Sequence, residues 1–308
     1  MKIALLADIH SNYRALSAVL DALEGEACDE YIFLGDYVSD TPDPQKTMAL
    51  LYETAGRHPC TFLRGNREDY MLRQQAIRSG RADGPRWHAG SASGNLCYTY
   101  ERLTERDLEF FSAMQPQCVK TWEGLPGITF CHGSPESNRE LLQLEAENTA
   151  AWLERMDTPV LVAGHTHHAG MMTRNGRLYV NPGSVGIAIG DPGIACYAIL
   201  ESTEKGGQIH WEATVTGVSF PRQELIREMF TSGLYEMAPW FINNNLLTLI
   251  TGRDVTTELV DLAFRLKARH DGKDPVWPEI EEIWFSKAAE TLGLPDYGPL
   301  WADGISLI

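Results

Sequence analysis

The sequence lacks an apolar run long enough to cross a bilayer, which needs about 20 consecutive apolar residues. The stretch before Asp8 has one basic residue and a short apolar run, and no small-residue cleavage site follows. We expect a first strand there and not a signal peptide. Internal repeats and low-complexity tracts are also lacking, so repeat architectures are not predicted.

Cysteines are few and scattered, and none of them forms a C-x-x-C pair. The six are Cys28, Cys60, Cys97, Cys118, Cys131 and Cys196. This spacing predicts neither a disulfide framework nor a thiolate zinc site, and it favours a reducing, cytoplasmic location.

Positive charge is scarce, with 26 Lys and Arg against 42 Asp and Glu, and the formal net charge is −16. A surface this acidic repels phosphate backbones and anionic lipid. Long nucleic acid and membranes are therefore not expected as partners. A small phosphoester substrate remains compatible, because bound metal ions would be the largest local charges.

Short apolar runs alternate with amphipathic segments through the first half of the chain, which predicts an α/β layered core. The predicted strands are Ile3–Ala7, Tyr31–Leu34, Thr61–Leu63, Ile128–Cys131 and Val160–Ala163. Helices are predicted at Tyr13–Glu24, Pro44–Glu53 and Glu68–Ile77. A further helix is predicted to begin with Thr104 as N-cap and Asp107 as its capping-box acid.

Beyond Asn175 the pattern changes to strands without intervening helices. We expect Arg177–Val180, Ala195–Leu200 and Gln208–Val215 to be neighbours in a second, largely antiparallel sheet. From about Pro221 the spacing becomes helical. The predicted organisation is a domain over residues 1–220 and a helical C-terminal appendage over 221–308. The apolar stripe of this appendage is typical of core packing or of a homo-oligomer interface.

Five short motifs follow predicted strands, and in an open α/β sheet such positions meet beyond the carboxyl ends of the strands. They are Asp8-Ile9-His10, Gly35-Asp36, Gly65-Asn66-Arg67-Glu68, His132-Gly133 and Gly164-His165-Thr166-His167. Imidazole and carboxylate donors without thiolate suit divalent Mn, Fe, Zn, Ni or Co. Two metals about 3.5–4 Å apart need a bridging ligand, and the carboxylate of Asp36 is the candidate.

The ordered set D-x-H, G-D, G-N-x-E, H-G, G-H-x-H resembles the calcineurin-like metallophosphoesterase superfamily. Within it, Asn181–Gly186 and Tyr197–Leu200 are similar to the small bacterial and archaeal phosphodiesterase branch. The resemblance covers roughly residues 1–215. It implies two mixed β-sheets packed face to face and flanked by helices, and a metal-bridging hydroxide that attacks phosphorus in line.

The resemblance also implies a ligand set for two metals. One metal would take Asp8, His10, Asp36 and His167, and the other would take Asp36, Asn66, His132 and His165. Asp36, Asn66 and Arg67 are the predicted catalytic residues. Many family members have His where Arg67 stands. Arginine cannot act as a general acid, but it can neutralise phosphate charge, which disfavours a protein phosphatase.

Arg64, Arg67, His88 and His168 are the candidate substrate contacts. Arg67 has an alternative role as an ion-pair partner of Glu68 or Asp69. The Gly-rich segment 80–94, which holds His88, is interpreted either as a flap over the site or as a solvated loop.

The function expected from these features is hydrolysis of a small phosphodiester by a cytoplasmic dinuclear metalloenzyme. One alternative is a phosphomonoesterase or protein phosphatase. The other is a non-catalytic metal-binding scaffold, because the superfamily includes a retromer subunit that lacks the catalytic His and acts as an interaction platform.

Overall fold

The computed structural model describes residues 1–308, which form ten strands and twelve helices. The strands are β1 Lys2–Leu6, β2 Glu30–Phe33, β3 Cys60–Phe62, β4 Gln117–Lys120, β5 Ile128–Cys131, β6 Val160–Ala163, β7 Gly170–Arg174, β8 Arg177–Asn181, β9 Ile194–Lys205 and β10 Gln208–Ser219. The helices are α1 Tyr13–Leu23, α2 Pro44–Arg57, α3 Asn66–Arg78, α4 Gly94–Tyr100, α5 Glu105–Ala113, α6 Glu147–Arg155, α7 Arg222–Thr231, α8 Leu234–Met237, α9 Pro239–Thr251, α10 Thr256–Asp271, α11 Glu282–Leu292 and α12 Tyr297–Ala302.

The strands form two five-stranded mixed sheets, in the orders β10-β9-β1-β2-β3 and β4-β5-β6-β8-β7. In the first sheet β1, β2 and β3 run parallel, while β9 and β10 are antiparallel. In the second sheet β5, β6 and β8 run parallel, and β4 and β7 are antiparallel edge strands. The predicted pair of mixed sheets is therefore confirmed.

The two faces of β1 bury different cores, because successive side chains of a strand point to opposite sides. Ile3 and Leu5 pack between the two sheets with residues such as Phe130 of β5. Ala4 and Leu6 face the other way, towards the helices that cover the first sheet. This burial on both faces explains why β1 appears in the sequence as a continuous apolar run.

The prediction that three late strands share one antiparallel sheet is wrong. β8 lies in the second sheet, parallel to β6 and antiparallel to β7. β9 and β10 form a long hairpin that joins the first sheet through β1. Strand pairing is non-local, and apolar alternation alone does not identify the partner strand.

The C-terminal helices share the core of the first sheet. Leu225 and Met229 of α7 and Ile242 and Leu246 of α9 belong to the same buried cluster as Leu16 of α1. α10 and α11 add a smaller cluster of their own. Residues 221–308 are thus packed onto the sheet layer, and the division into a domain over 1–220 and a helical appendage over 221–308 stays a prediction.

Helix lengths and caps follow the local sequence. The longest helix, α10, has 16 residues, and none of the helices combines the length and hydropathy that crossing a bilayer requires. The predicted capping box of α5 is confirmed: Asp107 N donates to Thr104 Oγ1, and the Asp107 carboxylate accepts from Thr104 N.

Candidate metal centre

The seven predicted ligands follow five strands of the two sheets. Asp8 and His10 come after β1, Asp36 after β2 and Asn66 after β3, while His132 follows β5 and His165 and His167 follow β6. Their loops meet where the two sheets present the carboxyl ends of parallel strands, as the topological rule predicts.

The backbone at this edge is unusual. Five of the seven predicted ligands have left-handed φ angles between 50° and 66°, a conformation that costs energy for residues other than glycine. They are Asp8, His10, Asp36, His165 and His167. Such strain persists only where the surrounding structure fixes the backbone, and it concentrates at functional sites.

One cluster consists of Asp8, His10 and His167, and one ligand atom from each lies within 4.8 Å of the others. Nε2 of His10 is 2.9 Å from Nε2 of His167. Oδ1 of Asp8 is 3.5 Å from Nε2 of His167 and 3.9 Å from Nε2 of His10. The donor atoms therefore converge on one point.

A second cluster consists of Asp36, His132 and His165, with the same 4.8 Å limit. Nε2 of His132 is 3.4 Å from Oδ1 of Asp36 and 3.1 Å from Oδ1 of Asn66. The rings of His132 and His165 lie with centroids 4.8 Å apart. Asn66 therefore joins this cluster through its carbonyl oxygen.

The carboxylate of Asp36 connects the two clusters. Its Oδ1 faces His132, whereas its Oδ2 lies 3.9 Å from Nε2 of His10 in the other cluster. Two oxygens directed at two sets of donors are the arrangement that a bridging carboxylate requires.

The donor set fits divalent cations. Asp8 is buried, and its Oδ1 has no hydrogen-bond partner. A buried carboxylate oxygen without a donor is costly unless a cation satisfies it. The imidazole nitrogens of His10 and His167 also face each other, so at least one needs a proton or a metal between them.

Two of the ligand histidines meet a backbone carbonyl with the ring nitrogen that points away from the clusters. Nδ1 of His132 lies 2.9 Å from the carbonyl oxygen of Leu34, and Nδ1 of His167 lies 3.0 Å from that of Ile187. A carbonyl accepts only, so each Nδ1 must donate its N–H. This fixes the tautomer that leaves Nε2 free as a metal ligand.

The loop before α3 holds Asp36 in place. A carboxylate oxygen of Glu68 accepts from the backbone N–H groups of Gly65 and Asp36, and the other accepts from Tyr37. Arg67 N donates to Oδ1 of Asp36. Residue 65 must be glycine, because a Cβ there would lie 2.2 Å from Oδ1 of Asp36.

The charged groups of the two clusters shift one another's pKa values. Burial opposes the cationic form of His132, but the Asp36 carboxylate outweighs it and raises the pKa of His132 to about 9. Burial and then the neighbouring His132 lower the pKa of His165 to about 4. Burial works against ionisation of Asp36, yet His132 and His10 hold its pKa well below its usual range. The site therefore favours carboxylates balanced by cations.

Asp40 is a site residue that the motifs did not reveal. Its Oδ2 lies 3.1 Å from Nδ1 of His10 and accepts from Nη2 of Arg67 at 2.8 Å. Its Oδ1 accepts from Asn95 at 2.7 Å, and its backbone carbonyl accepts from Asn245 of α9. The only sequence signal is an acid four residues after Asp36.

Arg67 and Arg64 differ in their surroundings. Arg67 pairs with Asp40, and its Nε lies 3.8 Å from Oδ2 of Asp36, so neither Glu68 nor Asp69 is its partner. Arg64 instead pairs with Asp69 at 2.7 Å and donates to the carbonyl of Met114. Only Arg67 faces the metal clusters.

The two remaining histidine candidates lie in different places. His168 is exposed and lines the same cavity as His165, His167 and Arg67. His88 is also exposed but lines a separate cavity against α10 and α11.

Segment 80–94 is joined to the C-terminal helices rather than free over the site. Its Ser91 donates to Glu282 of α11 through both backbone N–H and hydroxyl, and Gly90 N donates to the carbonyl of Met237.

The C-terminal helices form part of the wall of the metal-site cavity, which has a volume of about 270 Å³. Phe241, Asn245 and Thr248 of α9 line it opposite His165 and His167. Access to the candidate metal site is therefore shaped by residues far from the motifs in sequence.

The fold and the two His/Asp clusters define an α/β sandwich with a candidate metal centre beyond the carboxyl ends of its parallel strands. A family model for the calcineurin-like phosphoesterase superfamily domain matches residues 1–205. The chain belongs to this superfamily, whose members bind divalent metals. Among proteins of curated function, none matches the sequence.

Two solved structures show the same fold. A metallophosphoesterase from Sphaerobacter thermophilus is 23% identical, covers 80% of this chain and 100% of its own, and has a TM-score of 0.58. A hypothetical protein from Pyrococcus horikoshii is 19% identical, covers 78% and 97%, and has a TM-score of 0.62.

Proposed function

We propose that this chain is a dinuclear metallophosphodiesterase that hydrolyses small phosphodiesters. The observation that carries the proposal is the Asp36 carboxylate, whose two oxygens face two separate clusters of imidazole and carboxylate donors. Divalent ions held there would supply Lewis acidity and lower the pKa of an attacking water.

The chain's own groups would hold and orient the reacting phosphate. Asp8, His10 and His167 would bind one ion, and Asn66, His132 and His165 the other, with Asp36 shared between them. Asn66 begins α3, so the positive end of that helix dipole would also lie near the bound phosphate. Arg67, paired with Asp40, would stand beside the site as a fixed positive charge.

Preference for diesters over monoesters follows from the charge of the cavity. Arg67 is the only Lys or Arg among its lining residues, and its charge is already matched by Asp40. Asp254 also lines the cavity. Apart from the metals, the cavity therefore offers no unpaired cation for the second negative charge of a monoester, and a diester does not need one. Arg67 cannot protonate a leaving group, which favours diesters with good leaving groups.

The test is hydrolysis of methyl p-nitrophenyl phosphate and of p-nitrophenyl phosphate by metal-stripped protein reloaded with Mn, Ni, Co, Zn or Mg. The diester should be hydrolysed faster, and only with metal. Asp36→Asn and His132→Ala should each lose at least about 100-fold in kcat/KM, because each removes a direct ligand.

His210→Ala, an exposed histidine of β10, is the matched control and should retain full activity. Turnover of the monoester alone would contradict the diester preference. Folded protein that binds metal but hydrolyses neither ester would contradict the enzyme function and favour the scaffold alternative.

A further inference from the structure

A second and larger cavity adjoins the metal site. Its volume is about 490 Å³, and it lies between α3 and the C-terminal helices. Arg67 and Phe241 line both cavities, so the two share a wall. A volume of this size is typical of sites that bind a small organic molecule.

The charge of this cavity is opposite to that of the whole protein. Three arginines, Arg67, Arg73 and Arg139, line it, and no Asp or Glu does, although the chain carries a net charge of −16. Neither Arg73 nor Arg139 is paired with a carboxylate. Both side chains are exposed, and two guanidinium groups that line one cavity without a carboxylate favour an anionic ligand there.

Aromatic rings make up much of the remaining wall. They are Tyr70, Phe241, Phe264, Trp277 and Phe285. The aliphatic side chains are fewer, namely Ala92, Leu96 and Val260. Rings offer flat faces for stacking, and arginine can stack on them as well: Arg139 already lies over the ring of Tyr70 at 4.9 Å. This lining favours a planar aromatic group over an alkyl chain.

Three lining residues follow the helical repeat along α3 from the metal site outward. Arg67, Tyr70 and Arg73 are spaced by three residues and so share one face of the helix. Arg73 is displaced about 9 Å from Arg67 along the helix axis at 1.5 Å per residue. A ligand that spans this face would place one anionic group at the metals and another at Arg73 and Arg139.

We propose that this cavity is a substrate subsite for an aromatic base that carries a second phosphate, so that the phosphodiester substrate is a nucleotide derivative with two separated phosphate groups. The inference rests on the proposed phosphodiesterase function. Four of the five rings come from residues 241–285, beyond the family domain at 1–205, so the subsite would be a property of this chain's own C-terminal helices.

The test is direct binding by calorimetry to Mn²⁺-loaded protein freed of unbound metal. The ligands are adenosine 3′,5′-bisphosphate, adenosine 5′-monophosphate, ribose 5-phosphate and decyl phosphate. We expect the bisphosphate to bind about tenfold more tightly than the monophosphate, because its second phosphate gains charged hydrogen bonds. The monophosphate should in turn bind about tenfold more tightly than ribose 5-phosphate through base stacking.

Single substitutions show which residues cause these differences in binding affinity. Arg73→Gln and Arg139→Gln should each remove most of the advantage of the bisphosphate. Phe264→Leu, which keeps an apolar side chain at that position, should reduce the advantage of the adenine base. Arg81→Gln is the matched control: this exposed arginine lies just beyond α3, does not line the cavity, and should leave all four affinities unchanged.

Equal affinity for the first three ligands would overturn the subsite, and tightest binding of decyl phosphate would assign the cavity to an apolar chain instead. Calorimetry does not depend on turnover. The predicted affinities without hydrolysis of methyl p-nitrophenyl phosphate would therefore contradict only the proposed function. Metal-dependent hydrolysis with equal affinities would contradict only the subsite.

Discussion

Oδ2 of Asp40 lies 3.1 Å from Nδ1 of His10, on the side of the imidazole ring away from the nitrogen that faces His167. A proton on Nδ1 would lie beside this carboxylate without being aligned for a hydrogen bond to it, and Nε2 would keep its lone pair for a metal. The same carboxylate pairs with Arg67. Asp40 thus orients one candidate ligand and one candidate phosphate contact together.

Asp40→Asn should weaken binding of the metal at Asp8, His10 and His167 by about 10- to 100-fold, the usual effect of losing a carboxylate behind a ligating histidine. Competition with a chelator of known affinity would measure the metal affinity of this variant and of the unmodified protein. Asp43→Asn, on an acid three residues later that caps no helix by its side chain, is the control. Unchanged metal affinity in Asp40→Asn would remove Asp40 from the site.

Arg67→Gln should lower kcat/KM for a diester by about 10- to 100-fold. A guanidinium beside a phosphate contributes at least the free energy of one charged hydrogen bond. Arg64→Gln should cost at least tenfold less, because Arg64 is directed at Asp69 and the Met114 carbonyl. Steady-state kinetics of both variants decides between them. Equal losses would show that the pairing of Arg64 does not keep it from substrate.

Asn245→Ala tests whether α9 supports the site. Asn245 Nδ2 donates to the buried backbone carbonyl of Asp40 at 3.0 Å. Its loss should destabilise the protein by about 1–3 kcal/mol, the cost of leaving a buried acceptor unsatisfied, and should also lower kcat. Urea unfolding and kinetics provide the two measurements.

Asn148→Ala is the control for that change, because Asn148 also donates to a backbone carbonyl, that of Leu141, but in an exposed position. A stability loss in Asn245→Ala without any change in kcat would mean that α9 packs against the site without shaping it.

Asp107→Asn should lower the free energy of unfolding at pH 7 by about 1–2 kcal/mol. Burial works against ionisation of Asp107, but hydrogen bonds from Thr104 and Tyr52 outweigh it and hold the pKa below its ordinary value. A lowered native-state pKa stabilises the fold above the unfolded-state pKa, about 3.9, and the benefit disappears as pH falls through the native value.

The difference between Asp107→Asn and the unmodified protein should therefore shrink below about pH 4. Urea unfolding at pH 7 and at pH 3.5 measures it, with the exposed Glu109→Gln on the same helix as control. A difference in unfolding free energy that stays constant across this pH range would show that Asp107 stabilises the fold by packing and not by its charge.

Much of the site was predictable because its signals are local. Each ligand motif closely follows a strand, four of these five strands are buried, and the carboxyl ends of parallel strands meet in space. The capping box at Thr104 and Asp107 is equally local and was correctly predicted.

Features that depend on distant contacts were not predictable. β8 pairs with β6. The alternation of apolar residues in β8 does not identify β6 as its partner strand. Asp40 has no motif of its own, and its importance comes from Arg67, Asn95 and Asn245 meeting it in the fold. The apolar stripe of α9 predicts burial but does not identify the surface that it covers.

The shared core of α1, α7 and α9 has a consequence for how this protein is made. The outer face of the first sheet emerges from the ribosome well before the helices beyond Pro221 that help to cover it. At about 5–20 residues per second, roughly 90 further residues take about 5–20 seconds to synthesise. During that interval the apolar face that α7 and α9 cover in the folded protein has no covering from these helices.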